Sequence, residues 1–172
     1  PLLRALPKGR YAIAIGGSFG KGTCDRMSDI DFRLYCDEAV GAPNHGSTSE
    51  WQAFKERMDH WRTAGIDIDG CWIRTIGEMD RQLDAWLNGE VQPVPMVWTI
   101  WGYHLLTDLA NLLVLEDPEG IIATWKERLK SYPEALKKAV VRKHLGSLRY
   151  WRDDYHYRNK VARGDAVFLC GL

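Results

Sequence analysis

Two carboxylates separated by one apolar residue, Asp29 and Asp31 on either side of Ile30, are the groups in this sequence best suited to chemistry. Alternate side chains of a strand point to the same face, so both carboxylates should project together while Ile30 and Phe32 face the core. Neighbouring carboxylates repel each other unless a cation lies between them. Mg²⁺ is the expected cation, because it takes oxygen ligands and is usually held by one or two carboxylates plus substrate phosphates.

A glycine-rich turn precedes these carboxylates and suits a ligand that carries phosphate. The apolar run at residues 12–15 predicts a strand, and Gly16-Gly17-Ser18 follows it directly. Glycine lets the backbone approach a ligand closely, and amide groups at the beginning of a following helix attract phosphate oxygens. Each feature alone is common in proteins without such a site. Together, each on its expected element, they indicate a nucleotide site.

Two short runs resemble the signature of the polymerase-beta-like nucleotidyltransferases, in particular the minimal and antibiotic-modifying members. They are Gly17-Ser18-Phe19-Gly20-Lys21-Gly22 and Ser28-Asp29-Ile30-Asp31. Lys21 stands where those members often carry arginine, and Gly20 where they often carry alanine. The specific match covers residues 12–35, roughly a seventh of the chain.

The resemblance implies a third carboxylate on a strand beside the Asp-x-Asp strand. Residues 65–73 alternate isoleucine with aspartate and predict such a strand with one acidic face. Asp67 and Asp69 share parity within it, so either could fill this role. Asp69 is slightly favoured, because the glycine that follows it would leave room for a ligand.

The reaction implied by the resemblance is transfer of a nucleoside monophosphate from a nucleoside triphosphate such as ATP to an acceptor hydroxyl, with release of pyrophosphate. Three carboxylates can hold two metal ions roughly 3.5–4 Å apart, so two Mg²⁺ ions are expected. The implied catalytic carboxylates are Asp29, Asp31, Asp69 and Asp67, with Asp29, Asp31 and Asp69 as metal ligands. The implied nucleotide-binding residues are Gly17, Ser18, Lys21 and Ser28.

The composition favours a small-molecule acceptor. The 172 residues include 23 Lys and Arg and 23 Asp and Glu, so the formal net charge is zero. Proteins that bind long nucleic acid usually carry a basic excess, because much of the affinity comes from phosphate neutralisation. Long nucleic acid is therefore disfavoured as a partner.

The cysteines and the hydropathy predict a cytoplasmic protein without a membrane partner. No two of the four cysteines have metal-ligand spacing, and free buried thiols suit a reducing compartment. The chain has no signal-like beginning and no apolar run long enough to cross a bilayer. A homodimer is one candidate assembly.

Capping boxes and apolar spacing predict the remaining elements. Ser47 with Glu50, and Thr75 with Glu78, each predict the beginning of a helix. Apolar spacing predicts further helices over residues 96–110, 121–130 and 133–163, and a branched apolar run predicts a short strand over residues 111–115.

The predicted fold is α/β (α+β), with a small mixed sheet backed by helices and followed by a C-terminal helical segment. We expect a nucleotidyltransferase domain over residues 1–120 and a helical domain over residues 121–172, the latter truncated at its C-terminus. Residues 151–160 of the helical domain are dense in polar and aromatic groups, and a solvated face is the first explanation of this density. As a substrate-facing wall it offers Arg158, Lys160 or Arg163 for the triphosphate and Asp153 or Asp154 for a proton.

Two other functions remain open from the sequence. One is an inactive nucleotide-binding module or half of a toxin–antitoxin pair, which the intact acidic motif argues against. The other is an RNA-end nucleotidyltransferase, which needs a basic face that the balanced composition does not provide. A Walker-type NTPase is disfavoured, because no Gly-Lys-Ser/Thr follows the glycines.

Overall fold

The computed structural model describes residues 2–39, 48–90 and 104–166, and four strands lie within these ranges. The strands are β1 (Pro7–Ile15), β2 (Ile30–Ala39), β3 (Ile68–Thr75) and β4 (Leu113–Glu116). They form one mixed sheet in the order β3-β2-β1-β4. The helices are α1 (Gly17–Lys21), α2 (Ser49–Thr63), α3 (Ile76–Leu87), α4 (His104–Asn111), α5 (Ile121–Arg128), α6 (Glu134–Trp151) and α7 (Asp154–Ala162), preceded by a short 3₁₀ helix at Leu2–Ala5.

The pairing of the strands confirms the predicted mixed sheet. β1 pairs antiparallel with both β2 and β4, whereas β2 pairs parallel with β3. A parallel pair needs a long crossover, and α2 lies in the connection between β2 and β3. A short strand is found where residues 111–115 predicted one, but β4 begins at Leu113, because Asn111 still belongs to α4. The α/β (α+β) class is confirmed.

The helix beginnings follow local hydrogen bonds. The predicted cap of α2 is wrong by one residue, because Thr48 and not Ser47 is the N-cap: Thr48 Oγ1 accepts the Trp51 N–H at 3.4 Å. Ser47 itself lies outside the described residues. The predicted cap of α3 is confirmed on one side, because Thr75 Oγ1 accepts the Glu78 N–H at 3.2 Å. Of the predicted helix over residues 96–110, only the part from residue 104 lies within the described ranges.

The two faces of the sheet have different cores. One face packs beneath α2 and the 3₁₀ helix, and its buried cluster consists of Leu6, Ile13, Leu34, Cys36, Phe54 and Cys71. Phe32 packs against this cluster, as its predicted core position requires. The opposite face buries Tyr35, whose ring meets Trp125 of α5 edge to face at 5.1 Å. The acidic strand residues therefore lie on a sheet that is packed on both faces.

Contacts divide the chain into two compact units. The first comprises residues 1–84 and 92–131, and the second comprises residues 85–91 and 132–172. The first unit holds the sheet, and the expected domain boundary near residue 120 falls inside it, because α5 packs on the sheet through Trp125. The second unit contains α6 and α7, which replace the single predicted helical stretch over residues 133–163.

Two further expectations concern the membrane and the thiols. Among the helices of the described residues, none combines the length and the apolar character needed to cross a bilayer. Cys36 and Cys71 are free and buried, as predicted, whereas Cys24 is exposed and corrects the prediction for that position. Cys170 lies outside the described residues.

We expect Trp125→Ala to lower the free energy of unfolding by about 3–5 kcal/mol, because it removes a large buried side chain. Trp125 is 2% exposed, and its Nε1–H also donates to Asp80 at 2.7 Å. Trp72→Ala is the matched control, because Trp72 is 43% exposed, and it should cost less than about 1 kcal/mol. Urea denaturation measures both values, and equal costs would contradict this account of the core.

Candidate functional site

The glycine turn lies directly against the carboxylate of Asp31. Ile15 at the end of β1 pairs with Phe32 of β2, which brings the residues after Ile15 beside the residues before Phe32. The Gly16 N–H donates to the Asp31 carbonyl at 2.9 Å. Gly17 has φ +60°, and a Cβ atom at this position would overlap Asp31 Oδ2. Only glycine fits here without displacing the carboxylate.

A bulge shapes the acidic edge of the sheet. Ile30 pairs with Ile68, but Asp31 pairs with Gly70, so Asp69 is an extra residue in β3. Such bulges redirect side chains and are found next to active sites. Asp69 is exposed, and Gly70 has φ +147°, a conformation that favours glycine. The bulge shows that the alternation read from residues 65–73 is interrupted at Asp69.

The surroundings of the Asp31 carboxyl shift its pKa. Burial raises the pKa of Asp31 above its ordinary value, and the charges of Asp29 and Asp69 raise it further, while Arg33 lowers it. Asp29 and Asp69 are therefore near enough to act on Asp31 electrostatically. In the protein, the charged form of Asp31 is disfavoured unless a positive charge approaches it.

Asp67, the alternative third carboxylate, has a different partner. Arg62 Nε of α2 donates to Asp67 Oδ1 at 3.4 Å, and both side chains are largely exposed. The Asp67 carbonyl accepts the Ile30 N–H at 3.0 Å, which joins the beginnings of β2 and β3. Of the two candidates, Asp69 acts on Asp31, whereas Asp67 pairs with Arg62.

The carboxylates do not form a complete metal centre by themselves. Within the described ranges, no group of three or more His, Cys, Asp or Glu side chains is arranged to hold a metal ion. Mg²⁺ is usually held by one or two protein carboxylates, with substrate phosphates completing the shell. Asp31 and Asp29 can supply these one or two carboxylates. Asp31 is part-buried beside the glycine turn, and the charge of Asp29 raises the pKa of Asp31.

A part-buried ion pair, which the sequence did not reveal, links the turn to Asp31. Arg33 Nε donates to Asp108 Oδ2 at 2.8 Å, and Arg33 Nη1 lies 3.5 Å from Asp31 Oδ1. Asp108 Oδ1 accepts the Gly17 N–H at 3.0 Å. The parity of β2 could have placed Arg33 beside Asp31, but Asp108 lies 75 positions later in α4, and no local signal connects them.

The other predicted nucleotide-binding residues have varied surroundings. Ser18 is half-buried within α1, and Lys21 is exposed at its end. Ser28 belongs to a local turn, because its Oγ donates to Asp25 Oδ1 at 3.0 Å and accepts the Asp25 N–H at 2.9 Å. Of these predicted residues, Gly17 lies against Asp31, whereas the hydroxyl of Ser28 is hydrogen-bonded to Asp25.

The candidate residues of the C-terminal segment belong to the second unit. Lys160 Nζ pairs with Asp165 Oδ2 at 3.0 Å, and Arg158, Arg163 and Asp153 are exposed. The side chain of Asp154 lies outside the described set. These surroundings are those of a solvated helical surface.

Neither a protein-family model, nor a curated protein, nor a solved structure matches this chain. The resemblance to nucleotidyltransferases therefore stays a prediction from the two sequence runs.

We expect Asp31→Asn to raise the free energy of unfolding at neutral pH in metal-free buffer. Folded Asp31 has a raised pKa, so it binds a proton more tightly than in the unfolded chain, and its ionisation destabilises the fold as the pH rises. The gain should shrink as the pH falls toward the ordinary carboxyl pKa of about 3.9. Denaturant titrations at several pH values measure it. Asp67→Asn is the control: it removes an exposed pairing with Arg62 and should lower the free energy of unfolding by less than about 1 kcal/mol. A pH-independent effect of Asp31→Asn would contradict the assignment.

Proposed function

We propose that this protein is a metal-dependent nucleotidyltransferase that moves a nucleoside monophosphate from a nucleoside triphosphate, such as ATP, to the hydroxyl of a small molecule. The observation that carries the proposal is the contact between the Asp31 carboxylate and the Gly17 backbone. It supports a site where an acidic oxygen and a phosphate-binding turn meet. The two halves of the recognised signature are thus adjacent in space as well as in sequence.

Asp29 and Asp31 are the residues that would hold Mg²⁺, and Asp69 is the carboxylate that would contribute to a second ion. When bound, Mg²⁺ neutralises charge that develops on the phosphates and lowers the pKa of an attacking hydroxyl. The raised pKa of Asp31 favours this role, because a cation would relieve the repulsion from Asp29 and Asp69.

The turn would orient the phosphates. Because the Gly17 N–H already donates to Asp108, we assign phosphate contacts to the amide and hydroxyl of Ser18, with Lys21 at the outer end of α1. Fixing the triphosphate in this way would align the α-phosphorus with the acceptor oxygen, which lowers the entropic part of the barrier. Ser28 would act indirectly, through its turn with Asp25 before β2.

The acceptor class and the compartment are inferred from composition and thiols. The zero net charge supports a small molecule rather than long nucleic acid. The two buried free thiols suit a reducing cytoplasm, which is the location we propose.

The second candidate function is a nucleotide-binding module without catalytic activity. One observation favours it: the described residues contain no group of three acidic, histidine or cysteine side chains arranged for a metal. Nucleotide binding in calorimetry, without pyrophosphate release in the presence of Mg²⁺, would support this candidate. An RNA-end nucleotidyltransferase would instead incorporate labelled nucleotide into RNA.

We expect the protein, incubated with labelled triphosphates and Mg²⁺, to release pyrophosphate with one class of acceptor from a panel of aminoglycosides, lincosamides, proteins and RNA. Asp31→Asn should reduce this rate by more than roughly a hundredfold, which exceeds the usual effect of an outer-shell substitution. Its melting temperature without metal should not fall. Full activity of Asp31→Asn would overturn the metal role of this carboxylate.

Gly17→Ala compared with Gly22→Ala tests the contact between the turn and Asp31. Both glycines have positive φ, +60° and +69°, so both substitutions should cost roughly 1–2 kcal/mol of backbone strain. Only the Cβ at position 17 would displace the Asp31 carboxylate, since the corresponding space at Gly22 is open. Pyrophosphate release should therefore fall strongly in Gly17→Ala and little in Gly22→Ala. Equal activities, with melting temperatures as the stability control, would contradict the proposed site.

A further inference from the structure

Arg33 lies between two carboxylates and is shared unequally by them. Its Nε is 2.8 Å from Asp108 Oδ2, whereas its Nη1 is 3.5 Å from Asp31 Oδ1. The three side chains are only 13–19% exposed. Charge-assisted hydrogen bonds are strong at about 2.7–2.9 Å and weaken at longer distance. The guanidinium is thus bonded to Asp108 and only loosely associated with Asp31.

Asp108 also holds the glycine turn. Its Oδ1 accepts the Gly17 N–H at 3.0 Å while its Oδ2 accepts from Arg33. A Cβ on Gly16 would lie 2.7 Å from Asp108 Oδ1 and 2.9 Å from Arg33 Cζ, so the ion pair packs directly on the turn. One carboxylate therefore fixes both the turn and the guanidinium beside Asp31.

This arrangement affects the access of a cation to Asp31. A guanidinium bonded closely to a carboxylate satisfies the oxygens that a metal ion needs, and the two cations repel each other. Because Asp108 binds Arg33 at short distance, Asp31 keeps an oxygen that is not fully committed. Without Asp108, the part-buried guanidinium would be left with Asp31 as its carboxylate partner.

We propose that Asp108 is a positioning residue that holds Arg33 away from Asp31 and so keeps Asp31 available to Mg²⁺. This inference rests on the proposed function, and it adds a residue of α4 to the site. Under this inference the positive charge of Arg33 has two effects. It offsets the negative charge of the nearby carboxylates, but it competes with Mg²⁺ for Asp31 once Asp108 is neutralised.

The test is a double-mutant cycle on Mn²⁺ binding, measured by electron paramagnetic resonance with a non-hydrolysable ATP analogue. Asp108→Asn keeps an oxygen for Gly17 but loses the charge that holds Arg33, so Mn²⁺ affinity should fall by roughly tenfold, the low end of the effect of a neighbouring charge. In an Arg33→Met background the same substitution should have little effect. Asp37→Asn, which loses the pairing with Arg10 on the same sheet, is the matched control and should bind Mn²⁺ as the wild type does.

Pyrophosphate release gives a second readout. In Asp108→Asn the deficit should be large at low Mg²⁺ and recover at saturating Mg²⁺, which a general loss of structure would not produce. A fall in Mn²⁺ affinity that is equal in both backgrounds, or no fall at all, would overturn the inference. Should Asp108→Asn fail to fold, Arg33→Met carries the test: it should bind Mn²⁺ at least as tightly as the wild type, and weaker binding would overturn the inference.

The wild-type protein separates this inference from the proposed function. If the wild type binds no Mn²⁺ with the nucleotide analogue and releases no pyrophosphate, the proposed function fails and the inference fails with it. If the wild type binds and the variants are indistinguishable from it, only the positioning role of Asp108 is overturned.

Discussion

The balance of charge around Asp31 is the constraint on which the candidate site depends. This carboxylate is part-buried, lies against the Gly17 backbone, and is repelled by Asp29 and Asp69. Its one nearby cation, among the residues that act on it most strongly, is Arg33, which is itself held by Asp108. The ionised form of a part-buried carboxylate under such repulsion is disfavoured, and the positive charge of a metal-bound triphosphate would stabilise it.

The sheet creates this situation through its pairing. The antiparallel pairing of β1 with β2 brings the glycine turn to the beginning of β2, and the parallel pairing of β2 with β3 adds Asp69 through a bulge. The core beneath α2 and the Tyr35–Trp125 contact on the opposite face hold the strands from both sides. Hydrogen bonding between the strands and packing on both faces oppose the separation that would relieve the repulsion between these carboxylates.

The same geometry bears on the choice between enzyme and binding module. An acidic edge that lacks a third converging side chain among the described residues is compatible with one ion held jointly with substrate phosphates. It is also compatible with nucleotide binding alone. Among the two proposals the enzyme comes first, because the Asp31 carboxylate lies against the Gly17 backbone.

Local patterns in the sequence were sufficient for the mixed fold, for β4, for the cap of α3 and for the acidic strand after a glycine turn, because each depends on residues close together in the chain. The tertiary structure decided the rest. A bulge in β3 makes Asp69 rather than Asp67 the neighbour of Asp31. The helix α5 packs on the sheet. Arg33 pairs with Asp108, which lies 75 positions later in the chain. Bulges and long-range ion pairs arise from the packing of whole elements, and no periodicity within one element encodes them.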